Sequence, residues 1–287
     1  MKEKIKNIFT VILYILFIFL IQILTVILYE IIYTLYLLIY NKSSILNLPN
    51  ILNNVAIENI LYINLIAYVI FFITIAIIYY IHGKKITVDI SLINTNKNTL
   101  LLTVFLGVSI LCINIGFLGI LNSSTFFSNI LENFNSIINI LTIRGLPETI
   151  LIIGIITPIA EELLFRGLVY NTLLKSFPIL PTIFIQAFLF GICHGNIIQC
   201  IYTTFLGIVF GYLIYKTKSL YSSIIAHISN NLTAIIVFNF LPKNINSILT
   251  YVLFIILGIS FTLLFLIILN KNNKSRFKMD SIPFSNL

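Results

Sequence analysis

The residues able to do chemistry fall into three short groups in the second half of the chain. The first is Thr157-Pro158-Ile159-Ala160-Glu161-Glu162-Leu163-Leu164-Phe165-Arg166-Gly167. On a helix, residues four apart share a face, so Glu162 meets Arg166 while Glu161 is turned about 100° away. One carboxylate is neutralised by that pairing. The other requires a proton, a second partner or a water-filled space, and a carboxylate held against a water is a general base. Pro158, one turn earlier, is expected to loosen or kink the helix. The second group is Phe190-Gly191-Ile192-Cys193-His194, with Phe190 spaced to pack beside the His194 ring. The third is His227-Ile228-Ser229-Asn230-Asn231, in which Asn231 lies one turn after His227. An asparagine amide carries two donors, and an amide beside an imidazole suits negative charge developing on a carbonyl oxygen.

The chain has three histidines. His82 adjoins Gly83, Lys84 and Lys85 and reads as a solvated loop residue. His194 and His227 lie in apolar surroundings in the same half as Glu161, and the three read as one shared site. The midpoint between Glu161 and His194 falls at Phe177-Pro178, with Pro181 just beyond. An antiparallel helix hairpin turning there sets the two side by side. Arg166, Tyr170, Asn171 and Lys175 on its first arm suggest that it projects past the cytoplasmic surface. Glu161, His194 and His227 together are also a possible set of ligands for a divalent metal such as zinc, with a fourth position left for water. No His-Glu-x-x-His helix is present, so the metal stays open at this point.

The elements that hold these groups are apolar. Hydrophobic residues make up 59% of the 287 residues and charged ones 9%, against roughly 25% charge in soluble domains. So little charge cannot cover a water-facing surface, and the solvent must be a bilayer. The expected fold is all-α: a polytopic bundle of about eight spans near residues 8–28 (with apolar character continuing to 40), 60–81, 99–121, 149–170, 179–195, 198–215, 220–240 and 248–269. A charge within a span costs about 2.5–3.5 kcal/mol on insertion scales, which makes Glu161 and Glu162 functional candidates. Glu30 falls where the first span reaches the far surface. The 22 positions from His194 to Lys216 amount to about 33 Å of helix, leaving the fifth and sixth spans short or the site deep.

Under this arrangement thirteen of the 17 basic residues lie on one side, Lys42, Arg144 and Lys243 lie on the other, and Arg166 is inside a span. Positive residues concentrate in cytoplasmic loops, so both termini are placed in the cytoplasm. The net charge of +8 is thereby accounted for without nucleic acid. The basic start followed by a long apolar run reads as an uncleaved signal anchor. Cys112, Cys193 and Cys200 form no closely spaced metal pair and read as core residues. Three regions follow: residues 1–146, three spans ending in an amphipathic interfacial helix near 124–142 with Ser123 or Ser124 as its cap; residues 147–240, carrying the intramembrane polar groups; and residues 241–287, a last span and a basic cytoplasmic tail.

Taken together, Glu161-Glu162-x-x-x-Arg166, Phe190-x-x-x-His194 and His227-x-x-x-Asn231 resemble the three motifs of the CAAX-protease and bacteriocin-processing family, the CPBP or Abi proteins, over roughly residues 147–240. The resemblance implies an intramembrane endopeptidase in a bacterial plasma membrane, acting near the cytoplasmic face on membrane-associated or lipidated protein or peptide substrates. It implies Glu161 as the general base, helped by His194, with His227 and Asn231 stabilising the oxyanion and Glu162, Arg166 and Phe190 ordering the site. Family members are often labelled metalloproteases, although the same residues can work without metal. Two other readings stay open: a non-catalytic immunity or scaffold protein that keeps the fold, and a proton-coupled transporter. The transporter reading is weakened because no inverted repeat or paired broken helices are visible.

Overall fold

The structure, a computed structural model, describes residues 2–40, 48–143, 145–240 and 247–277, with side chains through Lys271. The described residues are helical throughout, with no strand among them. In chain order the helices are α1 (Lys2–Tyr40), α2 (Leu48–Glu58), α3 (Ile60–Ile81), α4 (Ile86–Asp89), α5 (Lys97–Asn122), α6 (Ser128–Thr142), α7 (Leu146–Leu174), α8 (Ile179–Ile192), α9 (Ile197–Thr217), α10 (Leu220–Phe240) and α11 (Ile248–Phe277). Among the described residues, α1, α3, α5, α9, α10 and α11 are each long and apolar enough to cross a bilayer. The pair Thr125–Thr142 and Leu146–Leu174, bent by 105°, brings the number to seven. The chain is a multi-pass integral membrane protein.

Among the described residues six to seven spans stand where about eight were expected, and the difference lies at α8. That helix has 14 residues, about 21 Å at 1.5 Å per residue, against a hydrocarbon core of about 30 Å. The apolar run of the sequence carries on to Gly195, but the helix does not. Gly195 takes φ +68°, a conformation glycine reaches without a Cβ clash, and its N–H returns to the Ile192 carbonyl at 3.0 Å. Asn196 then starts α9, its side chain accepting from the N–H groups of Ile198 and Gln199. With 21 residues, α9 is a full span. Leu174 and Ile179 bound the turn between α7 and α8, at the Phe177-Pro178 position expected for the hairpin.

Close packing is made by small residues, as in membrane bundles generally. Gly107 of α5 lies directly against Ala226 and Asn230 of α10, and Gly207 of α9 lies against Ala187 of α8. A side chain at either would push the paired helices apart. The core these contacts close includes Ala67, Phe71, Leu106, Val169, Phe210 and Leu213. By contrast, Leu16, Leu20, Ile23, Leu24 and Ile27 of α1 are more than two-fifths exposed, as lipid-facing side chains are.

The amphipathic helix expected near 124–142 is a 3-10 turn, Thr125–Phe127, followed by α6. Leu131 and Phe134 turn inward against Ile198 and Tyr202. Neither expected serine caps it. The Ser123 hydroxyl donates back to the Gly119 carbonyl at 2.9 Å, and Ser124 makes no side-chain cap bond. Lys42, Arg144, Lys243 and the tail from Lys278 onward, which enter the charge-based orientation, lie outside the described residues.

Candidate active site

The site is built where α7 stops being a regular α-helix. Thr157–Glu162 is α-helical, but π-helical segments flank it, Ile150–Ile156 before and Leu163–Val169 after. In a π register each carbonyl is met by the N–H five residues on, and the Thr157 N–H does reach back to the Ile152 carbonyl. The next carbonyl, that of Ile153, would have to be met by residue 158, and proline has no N–H. A side chain fills the gap: the Asn231 amide of α10 donates to the Ile153 carbonyl at 3.0 Å. Pro158 therefore widens the helix and ties it to α10.

Glu162 and Arg166 are both wholly buried and meet at 2.9 Å. The guanidinium lies over the Phe190 ring, 4.3 Å from its centroid, with Phe210 at 5.4 Å. Aromatic faces attract such a cation. The same Glu162 oxygen also takes the Nδ1 of His227 at 2.9 Å, a contact across 65 positions that links α7 to α10. A buried carboxylate on Nδ1 holds that ring in one tautomer and one orientation. Phe190 and Phe210 close over the same ring, at centroid distances of 5.9 and 5.2 Å.

Glu161 faces the other way. Its Oε2 is 3.6 Å from His227 Nε2, and its Oε1 is 4.0 Å from His194 Nε2. His194 is oriented by its own helix end, because its Nδ1 lies 2.8 Å from the Phe190 carbonyl. An acceptor there leaves the proton on Nδ1 and a free lone pair on Nε2. Phe190 packs edge-on to this ring at 4.9 Å. The separations around Glu161 are long for direct hydrogen bonds and suit a bridging water. A cavity of about 110 Å³ opens beside Glu161 and His194, well above the ~10–15 Å³ that one water needs.

The structure thus brings Glu161, His194 and His227 together and sets Glu162, Arg166 and Phe190 behind them. Asn231 is placed differently. Its Nδ2 is turned to Ile153, and its Oδ1 accepts from Asn230 at 3.2 Å. It does not line the cavity, and one of the two donors offered for an oxyanion is already engaged by backbone. The metal possibility also meets the geometry poorly. The two rings address opposite oxygens of Glu161, and among the described residues no group of three His, Cys, Asp or Glu side chains is arranged to hold a metal ion. As placed, the donors do not fit such a centre.

The remaining cavity wall comes from the first half of the chain. Ile18, Phe19 and Gln22 of α1, and Tyr68 and Phe71 of α3, face Glu161 and His194 across it. None of these is among the residues singled out in the sequence. The one signal available was Gln22, the only amide within residues 8–28.

With this geometry in view, the comparisons can be placed. Residues 144–233 match the family model described as Type II CAAX prenyl endopeptidase Rce1-like, a stretch that contains all seven motif residues. Over this segment, about a third of its length, the chain is similar to that family. The chain is 29% identical over 105 residues to the "Putative membrane peptidase YdiL" of Bacillus subtilis (strain 168). That match covers 37% of this chain and 42% of the relative, so the chain aligns with less than half of that protein's length. No solved structure matches. The cavity is bipartite: its Glu161–His194 wall lies inside the matched segment, and the α1–α3 wall lies outside it.

Proposed function

We propose that the protein is an intramembrane endopeptidase of bacterial plasma membranes, cleaving peptide bonds in membrane-associated substrates near the cytoplasmic face. The distribution of basic residues along the sequence supports both termini on that face. The observation that carries the reading is the convergence of two oriented imidazoles on one partly exposed carboxylate, which with His194 borders a cavity inside an apolar bundle. An intramembrane carboxylate with no cation of its own is costly unless it has a task, and general-base chemistry is the task this setting suits.

Glu161 takes a proton from a water held between its Oε1 and the Nε2 of His194, and the hydroxide attacks the scissile carbonyl carbon. The carbonyl oxygen becomes an oxyanion. The His227 Nε2–H, backed on Nδ1 by the Glu162 carboxylate, stabilises it, and the free N–H of Asn231 contributes when substrate is bound. The Glu162 carboxylate behind the imidazole fixes the ring so that its Nε2 faces the reacting atoms, as the buried carboxylate does in serine hydrolase triads. Collapse of the tetrahedral intermediate breaks the C–N bond, and the proton held by Glu161 passes to the leaving amine. Glu162, Arg166 and Phe190 position His227 and His194 and do not touch substrate. Among substrates, the CAAX prenyl endopeptidase match favours a prenylated protein C-terminus, which the bilayer would itself deliver to the site.

The test is cleavage of a fluorogenic prenylated CAAX peptide by purified wild type, Glu161→Ala and His227→Ala in detergent. Loss of cleavage in both variants, with folding retained, is expected. Equal background cleavage by all three proteins contradicts the peptidase reading and leaves an immunity or scaffold role.

A further inference from the structure

The cavity beside Glu161 has one wall that the motifs do not supply, and that wall carries an unexplained amide. Gln22 sits midway along α1, a helix whose neighbouring outward residues Leu20, Ile23 and Leu24 are all apolar and about half exposed. It lines the same cavity as Glu161 and His194. Gln22 follows Ile18 by four residues, so both lie on one face of α1, and both border the cavity with Phe19. Among the described residues, the Gln22 side chain makes no hydrogen bond.

An unpaired amide at membrane depth is a cost with no structural return. Gln22 is only partly buried, and on the lipid side no water is available to satisfy it. Other hydroxyl groups on α1 avoid this. Thr25, one turn on, donates to the Ile21 carbonyl at 2.8 Å, and Thr10 donates to the Lys6 carbonyl at 2.9 Å. Glutamine's longer side chain instead places its amide at the cavity, where Gln22 has a donor pair and an acceptor to offer. A peptide bond presents the complementary acceptor and donor, one of each per residue. Around Gln22, Ile18, Phe19 and Phe71 are apolar, and Tyr68 is the other polar side chain of the α1–α3 wall.

We infer that Gln22 is a substrate-binding residue: its amide hydrogen-bonds the main chain of an extended peptide lying between α1 and the Glu161–His194 wall. This rests on the peptidase reading. It adds that α1, outside the CPBP segment, fixes the register in which a peptide bond meets Glu161. In an apolar bundle, side-chain contacts from the substrate can slide, whereas a main-chain hydrogen bond sets position to a fraction of an ångström.

The experiment compares wild type, Gln22→Met and Glu161→Gln on the fluorogenic prenylated CAAX peptide and on a series in which each amide near the scissile bond is replaced, one at a time, by an ester. An ester removes one main-chain donor and leaves the shape nearly unchanged. Gln22→Met, of similar length, is expected to lower kcat/KM about five- to tenfold, the scale of one net hydrogen bond, with the change in KM and kcat close to wild type. One ester position is expected to weaken wild type by a similar factor and to have no effect on Gln22→Met, since the bond is already gone. A merely structural role for Gln22 would leave every ester effect the same in both proteins. That result, or an unchanged KM in Gln22→Met while Glu161→Gln is inactive, overturns the inference and spares the peptidase reading. Full cleavage by Glu161→Gln, or none by wild type, overturns both.

Discussion

The first helix and the seventh solve opposite problems in the same solvent. Helix α1 runs unbroken for 39 residues, leaves much of its apolar surface exposed, and carries its threonine hydroxyls bonded to its own backbone. Helix α7 is interrupted twice by π turns, holds a buried carboxylate and a buried guanidinium, and leaves a carbonyl for a side chain of another helix. Irregular backbone and charge are tolerated at membrane depth only where protein encloses them. The helices around α7 supply that enclosure, with Phe190 and Phe210 over the arginine and Asn231 on the freed carbonyl. Lipid alone covers the outer face of α1. The lesson is that the same composition yields a wall or a reactive centre according to what is packed against it.

Substitutions can break or sharpen that contrast. The largest effect is expected in α7 at Glu161→Gln, which removes the proposed base. The rate of peptide cleavage should fall by about 10²- to 10⁴-fold, with the melting temperature in detergent close to wild type, because this side chain is partly exposed to the cavity. Next is Arg166→Met, which strands the wholly buried Glu162. Loss of about 3–5 kcal/mol of stability is expected, the usual cost of breaking a buried ion pair, read by denaturant unfolding in mixed micelles. Adding Glu162→Gln to that variant should recover part of the loss.

Asn231→Leu should cost less, about 1–3 kcal/mol, because it leaves the Ile153 carbonyl without a partner. Pro158→Ala restores an N–H that can reach that carbonyl. The double variant should therefore be more stable than the sum of the two single changes, a coupling read from the same unfolding curves. The smallest effect is expected on α1 at Leu20→Ala, about half exposed to lipid. A stability change within about 0.5 kcal/mol is expected there, and a larger one would mean that this face is covered by something other than lipid.

Local spacing made part of the site legible. The Glu162–Arg166 contact is set by one helical turn, and the Phe190–His194 contact by another, so neither needs tertiary information. The all-helical membrane fold was equally plain from charge-poor composition. What escaped is long-range or depends on backbone register. The Glu162–His227 bond joins residues 65 positions apart, and the sequence shows both ends without showing that they meet. Pro158 announced a disturbed helix, but a kink and a π widening leave the same mark in sequence, and only the wider register explains why Asn231 turns to Ile153. Helix α8 reads as a span in the sequence because the apolar run continues toward Gly195, past Ile192 where the helix ends. The α1 wall was missed because a lone glutamine among isoleucines and leucines has no pattern to belong to.

The central claim is that two adjacent carboxylates have separate work, Glu161 in the reaction and Glu162 in holding His227 and Arg166. It is tested most directly by the single-turnover cleavage rate per folded molecule of Glu161→Gln and Glu162→Gln, measured side by side on the prenylated CAAX peptide. The expected result is a rate at background for Glu161→Gln with wild-type stability, and for Glu162→Gln a reduced but measurable rate with lowered stability. A wild-type rate in Glu161→Gln beside a stable, inactive Glu162→Gln would contradict it.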